Sequence, residues 1–319
     1  MFGRQSRQPF EVLYASEKQI EVDIVAVHGL GSDVDWSWTW RDRKTSGAPV
    51  NWLKDESMLP STVPQARIMV YNYGTRRTWN GPKIRIQSCA EDLVRDLHEF
   101  RDGVRDRPLL FIGHSLGGHV VQHALLYADR SDDFRYLPQR TAGFIALGTP
   151  FNGTQTSRVI DIAPRLMFLA GSHRGILRDL THDNQLLQDK LRQFCQLPWS
   201  IPVCCFYEQH QTDYGSRFGY PGLIRGLVVP EESACVQGWN RVPLQTEHIK
   251  MNKFPSPHDL NFIRVSRAVA DMCRRRKIKG RSKSVGYEPV VSPPYRISRQ
   301  ATEPYRRTGQ KPGHSCRSS

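Results

Sequence analysis

The feature that most constrains the fold of this chain is the segment FIGHSLGGH at residues 111–119. It places Ser115 in a Gly-x-Ser-x-Gly motif, directly after the apolar run Pro108–Ile112 and directly before Gly117–Tyr127, where apolar residues recur at helical spacing. A serine on such a strand-to-helix turn is a nucleophile elbow, in which the glycines let strand and helix approach closely. The segment therefore predicts a sheet flanked by helices, with a reactive Ser115 hydroxyl at the carboxyl edge of one strand.

Short apolar runs alternate with helical patterns along most of the chain. The predicted strands are Ile20–His28, Ala66–Asn72, Pro108–Ile112, Gly143–Leu147, Ile201–Tyr207 and Leu227–Pro230. The predicted helices are Asn51–Leu59, Gln87–Arg101, Gly117–Tyr127 and Asn261–Cys273. This alternation favours βα units around a mostly parallel central sheet, and together with the elbow at Ser115 it predicts an α/β-hydrolase fold. Residues 151–198 interrupt it with two helical patterns, Arg158–Ala170 and Leu186–Phe194, and predict a helical lid insertion.

A second glycine-containing turn, VHGLGS at residues 27–32, follows the first buried strand. A His-Gly step at this place in a hydrolase supplies one backbone amide of an oxyanion hole, which needs two N–H groups aimed at the tetrahedral oxygen. We expect one amide from Leu116, the residue after the nucleophile. The other is expected from Leu30, with Gly31 as the near alternative.

The other members of a serine triad are predicted from chain order, because this fold places an acid and then a histidine after the serine. Glu208 directly follows the strand Ile201–Tyr207 and is expected to be the acid, with Asp213 as the alternative on a longer loop. His248 follows the last predicted strand and is expected to be the base. His258 competes with His248, although its position before the closing helix favours a structural role.

The positive charge of the chain is concentrated towards its C-terminus. Of the formal net charge of +14, residues 274–319 carry +11, from 13 Lys or Arg and 2 Asp or Glu. The preceding residues show no basic face interleaved with aromatic side chains, so no nucleic-acid partner is expected. The composition predicts a hydrolase domain over residues 1–273 and a disordered basic tail over residues 274–319, suited to peripheral contact with anionic membranes.

Motifs for metals, cofactors and export are not found in the sequence. Its 11 His and 7 Cys form neither HExxH nor paired-cysteine spacing, and no GxxxxGK occurs, so no metal or cofactor is expected. His28, His114 and His119 adjoin the motifs and are expected to pack or to form hydrogen bonds. The first residues, MFGRQSRQPFEV, lack an apolar stretch, and no run reaches about 18 apolar residues. We therefore expect a protein that is neither secreted nor membrane-spanning, with reduced thiols.

Four segments together resemble a known family. They are DIVAVHGLGSDVDWSWTW, FIGHSLGGHVVQHAL, GFIALGTPFNGT, and VVPEESACVQG followed by HIKMNKF. They resemble fungal serine esterases that often stand N-terminal to NACHT or ankyrin-repeat regions. Those esterases are similar to animal serine-active-site proteins involved in phosphatidylglycerol remodelling, and more distantly to lipases that deacylate glycosylphosphatidylinositol. The resemblance covers about residues 11–273.

The resemblance implies an α/β-hydrolase with Ser115, Glu208 and His248 at the catalytic positions. It also implies ester or phospholipid substrates, and a location in the cytoplasm or at the surface of mitochondrial or endoplasmic-reticulum membranes. The first functional hypothesis is a serine hydrolase that cleaves carboxylic esters, in particular lipid or phospholipid esters, through an acyl-enzyme on Ser115. The second is a recognition or signalling module of the same fold with weak or no catalysis, because a fold does not fix a function.

Overall fold

The computed structural model describes residues 8–29, 34–42, 47–73, 86–152, 184–213 and 225–282. The strands in these ranges are β1 (Phe10–Ala15), β2 (Val22–Val27), β3 (Thr39–Trp40), β4 (Val50–Asn51), β5 (Ala66–Tyr71), β6 (Leu109–His114), β7 (Thr141–Leu147), β8 (Val203–Glu208), β9 (Thr212–Asp213), β10 (Arg225–Gly226) and β11 (Asn240–Leu244). Seven of them form the central sheet in the order β1-β5-β2-β6-β7-β8-β11. The pairs β3–β4 and β9–β10 are separate antiparallel ribbons.

The helices flank this sheet. They are α1 (Val34–Trp38), α2 (Leu59–Thr62), α3 (Ile86–Phe100), α4 (Leu116–Asp129), α5 (Tyr136–Arg140), α6 (Asn184–Cys195), α7 (Glu231–Ala234) and α8 (Leu260–Ser282), and His248–Lys250 forms one 3₁₀ turn. No helix in the described part of the chain is long and apolar enough to cross a bilayer.

Six of the seven central strands are parallel to their neighbours, and only β1 runs antiparallel, to β5 at the sheet edge. All residues of β2, β6 and β7 are buried, as expected for strands covered on both faces. Because parallel strands end at the same edge, the carboxyl ends of β2, β6, β7, β8 and β11 lie side by side. The predicted mostly parallel sheet flanked by helices is confirmed.

Two apolar layers cover the two faces of the sheet. Alternate side chains of β2 enter different layers, with Val25 and Val27 on one side and Ile24 and Ala26 on the other. The first layer is completed by apolar residues of α3, α4 and α6. The second is completed by α2, α8 and an aromatic group, Trp38, Trp52, Phe254 and Phe262. The two layers fix the central strands and therefore the edge at which they end.

Two predicted elements were wrong. Residues 227–230 do not enter the central sheet, and the last strand is β11, which pairs in parallel with β8. Val228 and Val229 are apolar because they are fully buried beneath the site, and β11 was overlooked because its first two residues are exposed. The predicted helix Asn51–Leu59 is a set of turns followed by α2. The Asp55 carboxylate accepts hydrogen bonds from the N–H and hydroxyl of Ser57, which competes with helical bonding.

The predicted lid and tail fall largely outside the described residues. Residues 153–183 contain the predicted lid helix Arg158–Ala170, and residues 283–319 contain most of the basic tail. The other predicted lid helix is α6, which is described. The last helix, α8, extends past Cys273 to Ser282, and its first turn is capped by the carboxylate of Asp259, which accepts the N–H of Phe262.

The opposite edge of the sheet, where the strands begin, carries a buried ionic cluster. Asp23 at the start of β2 is fully buried and contacts three guanidinium groups, those of Arg67 at 2.8 Å, Arg101 at 2.9 Å and Arg107 at 3.1 Å. Burial lowers the pKa of Arg101, and the charge of Asp23 opposes that effect. The cluster joins β2, β5 and the loop that leads into β6, so it fixes the strands whose far ends carry the candidate site.

Candidate active site

Ser115 sits on a strained turn between β6 and α4. Its φ of 53° and ψ of −125° lie in a region that residues other than glycine avoid, and among the described residues it is the only non-glycine with positive φ. A backbone hydrogen bond holds the turn in this strained conformation, because the Ser115 N–H donates to the carbonyl of Leu147 at 2.8 Å. This is the conformation of a nucleophile elbow at the carboxyl end of a strand.

The glycines of the elbow permit very close backbone packing. A Cβ on Gly113 would lie 2.7 Å from the Cα of Gly118, so the strand and the helix could not approach as they do. A Cβ on Gly117 would overlap the carbonyl oxygens of Val27 and His28, at the end of β2. The first turn of α4 therefore lies directly against the segment that leads into the predicted oxyanion loop.

Glu208 and His248 are brought together from two neighbouring strands. Glu208 ends β8 and is paired in register with Leu244 of β11, and His248 follows β11 in the 3₁₀ turn. Two backbone bonds join the loops, since the N–H groups of Gln209 and His210 donate to the carbonyls of Leu244 and Thr246. As a result, Nδ1 of His248 lies 3.9 Å from Oε2 of Glu208, with both side chains buried.

The Glu208 carboxylate is held at its other oxygen. Oε1 accepts the N–H of Val229 at 2.6 Å, so the apolar segment that was predicted as a strand serves to anchor the acid. Burial raises the pKa of Glu208 to about 8, although nearby backbone N–H groups, first that of Val229, oppose the rise. The environment therefore keeps this carboxyl group largely protonated at neutral pH.

His248 is buried and its ring is neutral. Burial lowers its pKa to about 3, and the nearby positive charge of Lys253 contributes to the decrease. Lys253 itself has a pKa lowered by burial to about 7; its Nζ donates to the carbonyl of Ile249 at 2.8 Å and lies 3.4 Å from the ring centroid of Trp36. A neutral imidazole is the form that accepts a proton, so His248 has the state that a general base requires.

The elbow and the histidine loop meet at the end of β7. Ser115 bonds to Leu147, and the next residue, Gly148, has a φ of 58°. A Cβ on Gly148 would lie 2.8 Å from Cε1 of His248, so the imidazole packs directly on this backbone. Ser115, Glu208 and His248 thus lie at the carboxyl ends of β6, β8 and β11, at the same edge of the sheet. A hydroxyl, a neutral imidazole and a carboxyl group in this order form an arrangement suited to acyl transfer.

The alternative residues from the sequence lie elsewhere. Asp213 is in the short β9–β10 ribbon, where it lies opposite Arg225 in the strand register. His258 is exposed in the turn before α8. Of the predicted oxyanion residues, Leu116 is buried at the first position of α4, where an N–H has no acceptor within its own helix. Leu30 and its alternative Gly31 lie outside the described residues.

The other histidines near the motifs form hydrogen bonds or pack, as the sequence predicts. The ring of His28 stacks on Tyr73 at a centroid distance of 4.6 Å, and the Tyr73 hydroxyl donates to the His28 carbonyl at 2.6 Å. His119 is buried, with Nε2 3.1 Å from the carbonyl oxygen of Pro150 and Nδ1 3.2 Å from Gln122 Oε1. His114 approaches the His248 loop, with Nε2 3.2 Å from the His248 carbonyl oxygen.

Sequence reasoning overlooked Val229 and Lys253. Val229 acts through its backbone N–H, which any residue except proline supplies, so no side-chain pattern identifies it. Lys253 follows His248 by five positions, and a lysine so close to a candidate base is a signal that could have been considered. Among the described residues, no group of three or more His, Cys, Asp or Glu is arranged to hold a metal ion.

A separate cavity of about 620 Å³ lies at the opposite edge of the sheet. Its lining includes Val203 and Asn240, the first residues of β8 and β11, together with Trp199, Trp239 and Met272. Because Glu208 ends the strand that Val203 begins, this cavity is remote from the carboxyl edge. The elbow therefore lies at a different surface from this cavity.

Comparison with protein families matches residues 21–177 to the family described as "Putative serine esterase (DUF676)". The matched range includes the VHGLGS turn, the elbow and β7. Two curated relatives are similar to a longer stretch: Protein SERAC1 of Danio rerio is 24% identical over 281 residues, or 83% of this chain, and Protein SERAC1 of Homo sapiens is 26% identical over 279 residues, or 79% of this chain. The chain spans about two fifths of the length of these relatives, 41% and 40%.

Among solved structures, the mature form of the Bacillus licheniformis lipase BlEst2 is similar in fold. It has a TM-score of 0.50 and 16% sequence identity, and the match covers 75% of this chain and 91% of the lipase. The predicted resemblance to serine esterases is confirmed, as is the predicted α/β-hydrolase sheet. Residues 21–177 are thus similar to the serine esterase family of that description, and the chain has the α/β-hydrolase fold.

Proposed function

We propose that the protein is a serine hydrolase that cleaves carboxylic esters through an acyl-enzyme on Ser115. The observation that carries this proposal is the combination of a strained elbow at Ser115 with the buried pair Glu208–His248 at the same sheet edge. Strained backbone at a non-glycine residue persists only where the surrounding structure enforces it, and such residues cluster at functional sites. The match to a serine esterase family supports the same reaction class.

In the first step Ser115 Oγ bonds to the ester carbonyl carbon while its proton passes to Nε2 of His248. Nε2 has no hydrogen-bond partner within the described ranges, so its lone pair is available, and Nδ1 then carries the ring proton on the side of Glu208. The carbonyl π electrons move to oxygen, and we assign this oxyanion to the amides of Leu116 and Leu30. Collapse expels the alkoxide, which takes the proton from His248.

In the second step water replaces the alcohol. His248 accepts a proton from water as its oxygen attacks the acyl carbon, and returns it to Ser115 Oγ as the carboxylic acid leaves. A positive imidazolium arises transiently in both steps, and the carboxylate of Glu208 stabilises it. Catalytic hydrogen bonds that are long without substrate commonly shorten in the reacting complex. Nδ1 of His248 and Oε2 of Glu208 are 3.9 Å apart, so we expect their hydrogen bond to form when substrate binds.

The test is covalent labelling of the purified protein with a fluorophosphonate probe, beside Ser115→Ala, His248→Ala and Glu208→Gln. We expect labelling of the parent and none of Ser115→Ala. His248→Ala is expected to lose at least about 100-fold in labelling rate. Thermal melting of each variant shows whether the fold is retained. A parent that is folded and unlabelled overturns the hydrolase proposal and favours a recognition module of the same fold.

We further propose lipid or phospholipid esters as the substrate class. The support is the likeness to SERAC1 proteins and to a bacterial lipase. The test is turnover of p-nitrophenyl esters of increasing acyl length, followed by release of fatty acid from phosphatidylglycerol vesicles. Ester cleavage limited to acetyl and butyrate esters contradicts the lipid assignment and leaves the serine hydrolase intact.

The basic residues 274–319 support a peripheral location on anionic mitochondrial or endoplasmic-reticulum membranes. Each well-placed Lys or Arg adds on the order of 1 kcal/mol to binding at an anionic surface. The test is co-sedimentation of the full chain, and of a chain ending at Ser282, with vesicles of phosphatidylcholine alone or with added phosphatidylserine. Equal sedimentation of both chains with the anionic vesicles contradicts the role of residues 283–319.

A further inference from the structure

His114 joins the nucleophile elbow to the loop of the candidate base. It is the last residue of β6 and the immediate neighbour of Ser115, and it is buried. Its Nε2 lies 3.2 Å from the carbonyl oxygen of His248, 134 positions away, and the two imidazole centroids are 5.2 Å apart. The side chain before the nucleophile therefore contacts the backbone of the residue that would deprotonate it.

The chemistry of this contact fixes the proton on His114. A carbonyl oxygen accepts only, so Nε2 must carry the hydrogen and donate. Nδ1 is then an acceptor, and it has no hydrogen-bond partner among the described residues. Burial lowers the pKa of His114, and the neighbouring ring of His248 and the charge of Lys253 lower it further. His114 thus stays neutral with one proton, and that proton is committed to the His248 carbonyl.

Besides this contact, the backbone N–H of His248 bonds to the Glu208 carboxyl group, and few other polar contacts hold His248 in place. Its ring nitrogens have no hydrogen-bond partner in the described ranges, and Glu208 at 3.9 Å is beyond hydrogen-bonding distance. The carbonyl of His248 also accepts the N–H of Met251, at the end of the 3₁₀ turn, at 3.4 Å. This distance is longer than the 3.2 Å from His114 Nε2. The backbone of Gly148 packs against the imidazole. The His114 bond is therefore the shorter of the two polar contacts to this carbonyl.

We propose that His114 is a positioning residue, whose Nε2–H holds the His248 backbone at a fixed distance from Ser115. This inference rests on the proposed function. His114 ends β6 and Ser115 follows it directly, so a bond from His114 to the His248 carbonyl sets the base relative to the nucleophile through a single side chain. Misplacement of a catalytic group by about 1 Å costs about 100-fold in rate, so a bond that removes this freedom affects the reaction of Ser115.

The tests separate positioning from packing. His114→Gln keeps an N–H donor close to the place of Nε2, whereas His114→Met has a similar volume and no donor. His119 supplies a matched control, because it is also buried and its Nε2 lies 3.1 Å from the backbone carbonyl of Pro150, not from that of His248. The measured quantities are the second-order rate of fluorophosphonate labelling, kcat and KM on p-nitrophenyl butyrate, and the melting temperature.

We expect His114→Met to label about 10- to 100-fold more slowly than the parent, with the loss in kcat and little change in KM. His114→Gln should recover most of the rate, and His119→Met should lower the melting temperature without the same loss of labelling. Parental labelling by a folded His114→Met protein overturns the inference. If His114→Met does not fold, equal rates for His114→Gln and His114→Asn, whose shorter amide does not reach the carbonyl, overturn it. A folded parent that fails to label removes the proposed function, and this inference with it.

Discussion

The Nδ1 atom of His248 lies 3.9 Å from Oε2 of Glu208, and burial disfavours charge on both groups. The pKa of Glu208 is raised to about 8 and that of His248 is lowered to about 3. At neutral pH the base is therefore in its reactive neutral form, whereas the acid is largely protonated. In the proposed mechanism, ionisation of Glu208 therefore completes the triad as pH rises.

The first prediction concerns the pH dependence of the reaction. Because Glu208 loses its proton with rising pH and His248 is already neutral, kcat/KM on a p-nitrophenyl ester should rise through pH 7 and level off above about pH 9. Lys253 also titrates near pH 7, so Lys253→Met is the control and should keep the rise. Glu208→Gln should be slow and flat over this range. A rise that persists in Glu208→Gln and vanishes in Lys253→Met assigns the titration to the lysine.

The second prediction decides which carboxyl group orients the base. Glu208→Gln keeps the shape of the side chain and removes its charge, so we expect kcat/KM to fall by about 100-fold or more. Asp213→Asn, in the β9–β10 ribbon, should keep the parental kcat/KM. Steady-state kinetics of the two variants at pH 8 provide the measurement. A large loss in Asp213→Asn with activity retained in Glu208→Gln reverses the assignment.

The third prediction concerns folding stability. The folded-state pKa of Glu208 is raised, so between its ordinary value of 4.5 and about 8 the folded chain binds more protons than the unfolded chain. This group therefore makes stability decrease as pH rises through that interval, by about 1.4 kcal/mol for each unit of pKa shift. Glu208→Gln should gain stability relative to the parent at pH 8 and not at pH 4. Urea unfolding of both proteins at pH 4 and at pH 8 measures the difference in their free energy of unfolding. An equal difference at the two pH values contradicts the prediction.

The fourth prediction tests the close packing of the elbow. A Cβ on Gly117 would overlap the carbonyls of Val27 and His28, which are backbone atoms and cannot rotate away. Gly117→Ala should therefore destabilise the fold by about 3 kcal/mol and slow fluorophosphonate labelling. Gly103→Ala is the control, since its φ of 77° causes strain of about 1 kcal/mol without any overlap. Similar melting temperatures for the two variants would show that the elbow tolerates the extra carbon.

The fifth prediction addresses the ionic cluster at the beginning of β2. Asp23→Asn removes the charge that compensates the buried guanidinium of Arg101, so the free energy of unfolding should fall by about 3–5 kcal/mol. The control is Asp102→Asn, whose exposed pair with Arg105 contributes less than about 1 kcal/mol. Denaturant unfolding gives both numbers. A loss in Asp23→Asn no larger than in the control contradicts a structural role for the cluster.

Local signals allowed the elbow to be predicted from the sequence. The turn at Ser115 needs glycines at fixed positions and an apolar strand before it, and all of these lie within ten residues. The position of Glu208 could also be predicted, because β8 is a continuous apolar run that ends at a carboxylate. The proximity of Glu208 to His248 depends on pairing between β8 and β11, which is a non-local contact that the alternation pattern only implies.

The errors share a physical cause. Burial gave residues 227–230 the composition of a strand, although their role is to present the Val229 N–H to the acid. Conversely, β11 contains the polar residues Asn240 and Arg241 and also Pro243, and a proline is largely confined to edge strands such as this one. The antiparallel edge strand β1 was overlooked for a related reason, since its exposed and buried positions do not alternate regularly.

The backbone angles of Ser115 have a consequence for how this protein changes under selection. A φ of 53° with a ψ of −125° costs a serine about 1–3 kcal/mol and costs a glycine almost nothing. Ser115→Gly should therefore melt at a higher temperature than the parent while losing the hydroxyl entirely. Screening variants for thermal tolerance alone would favour that change. A stable variant obtained from such a screen should therefore be sequenced at this codon before its other substitutions are interpreted.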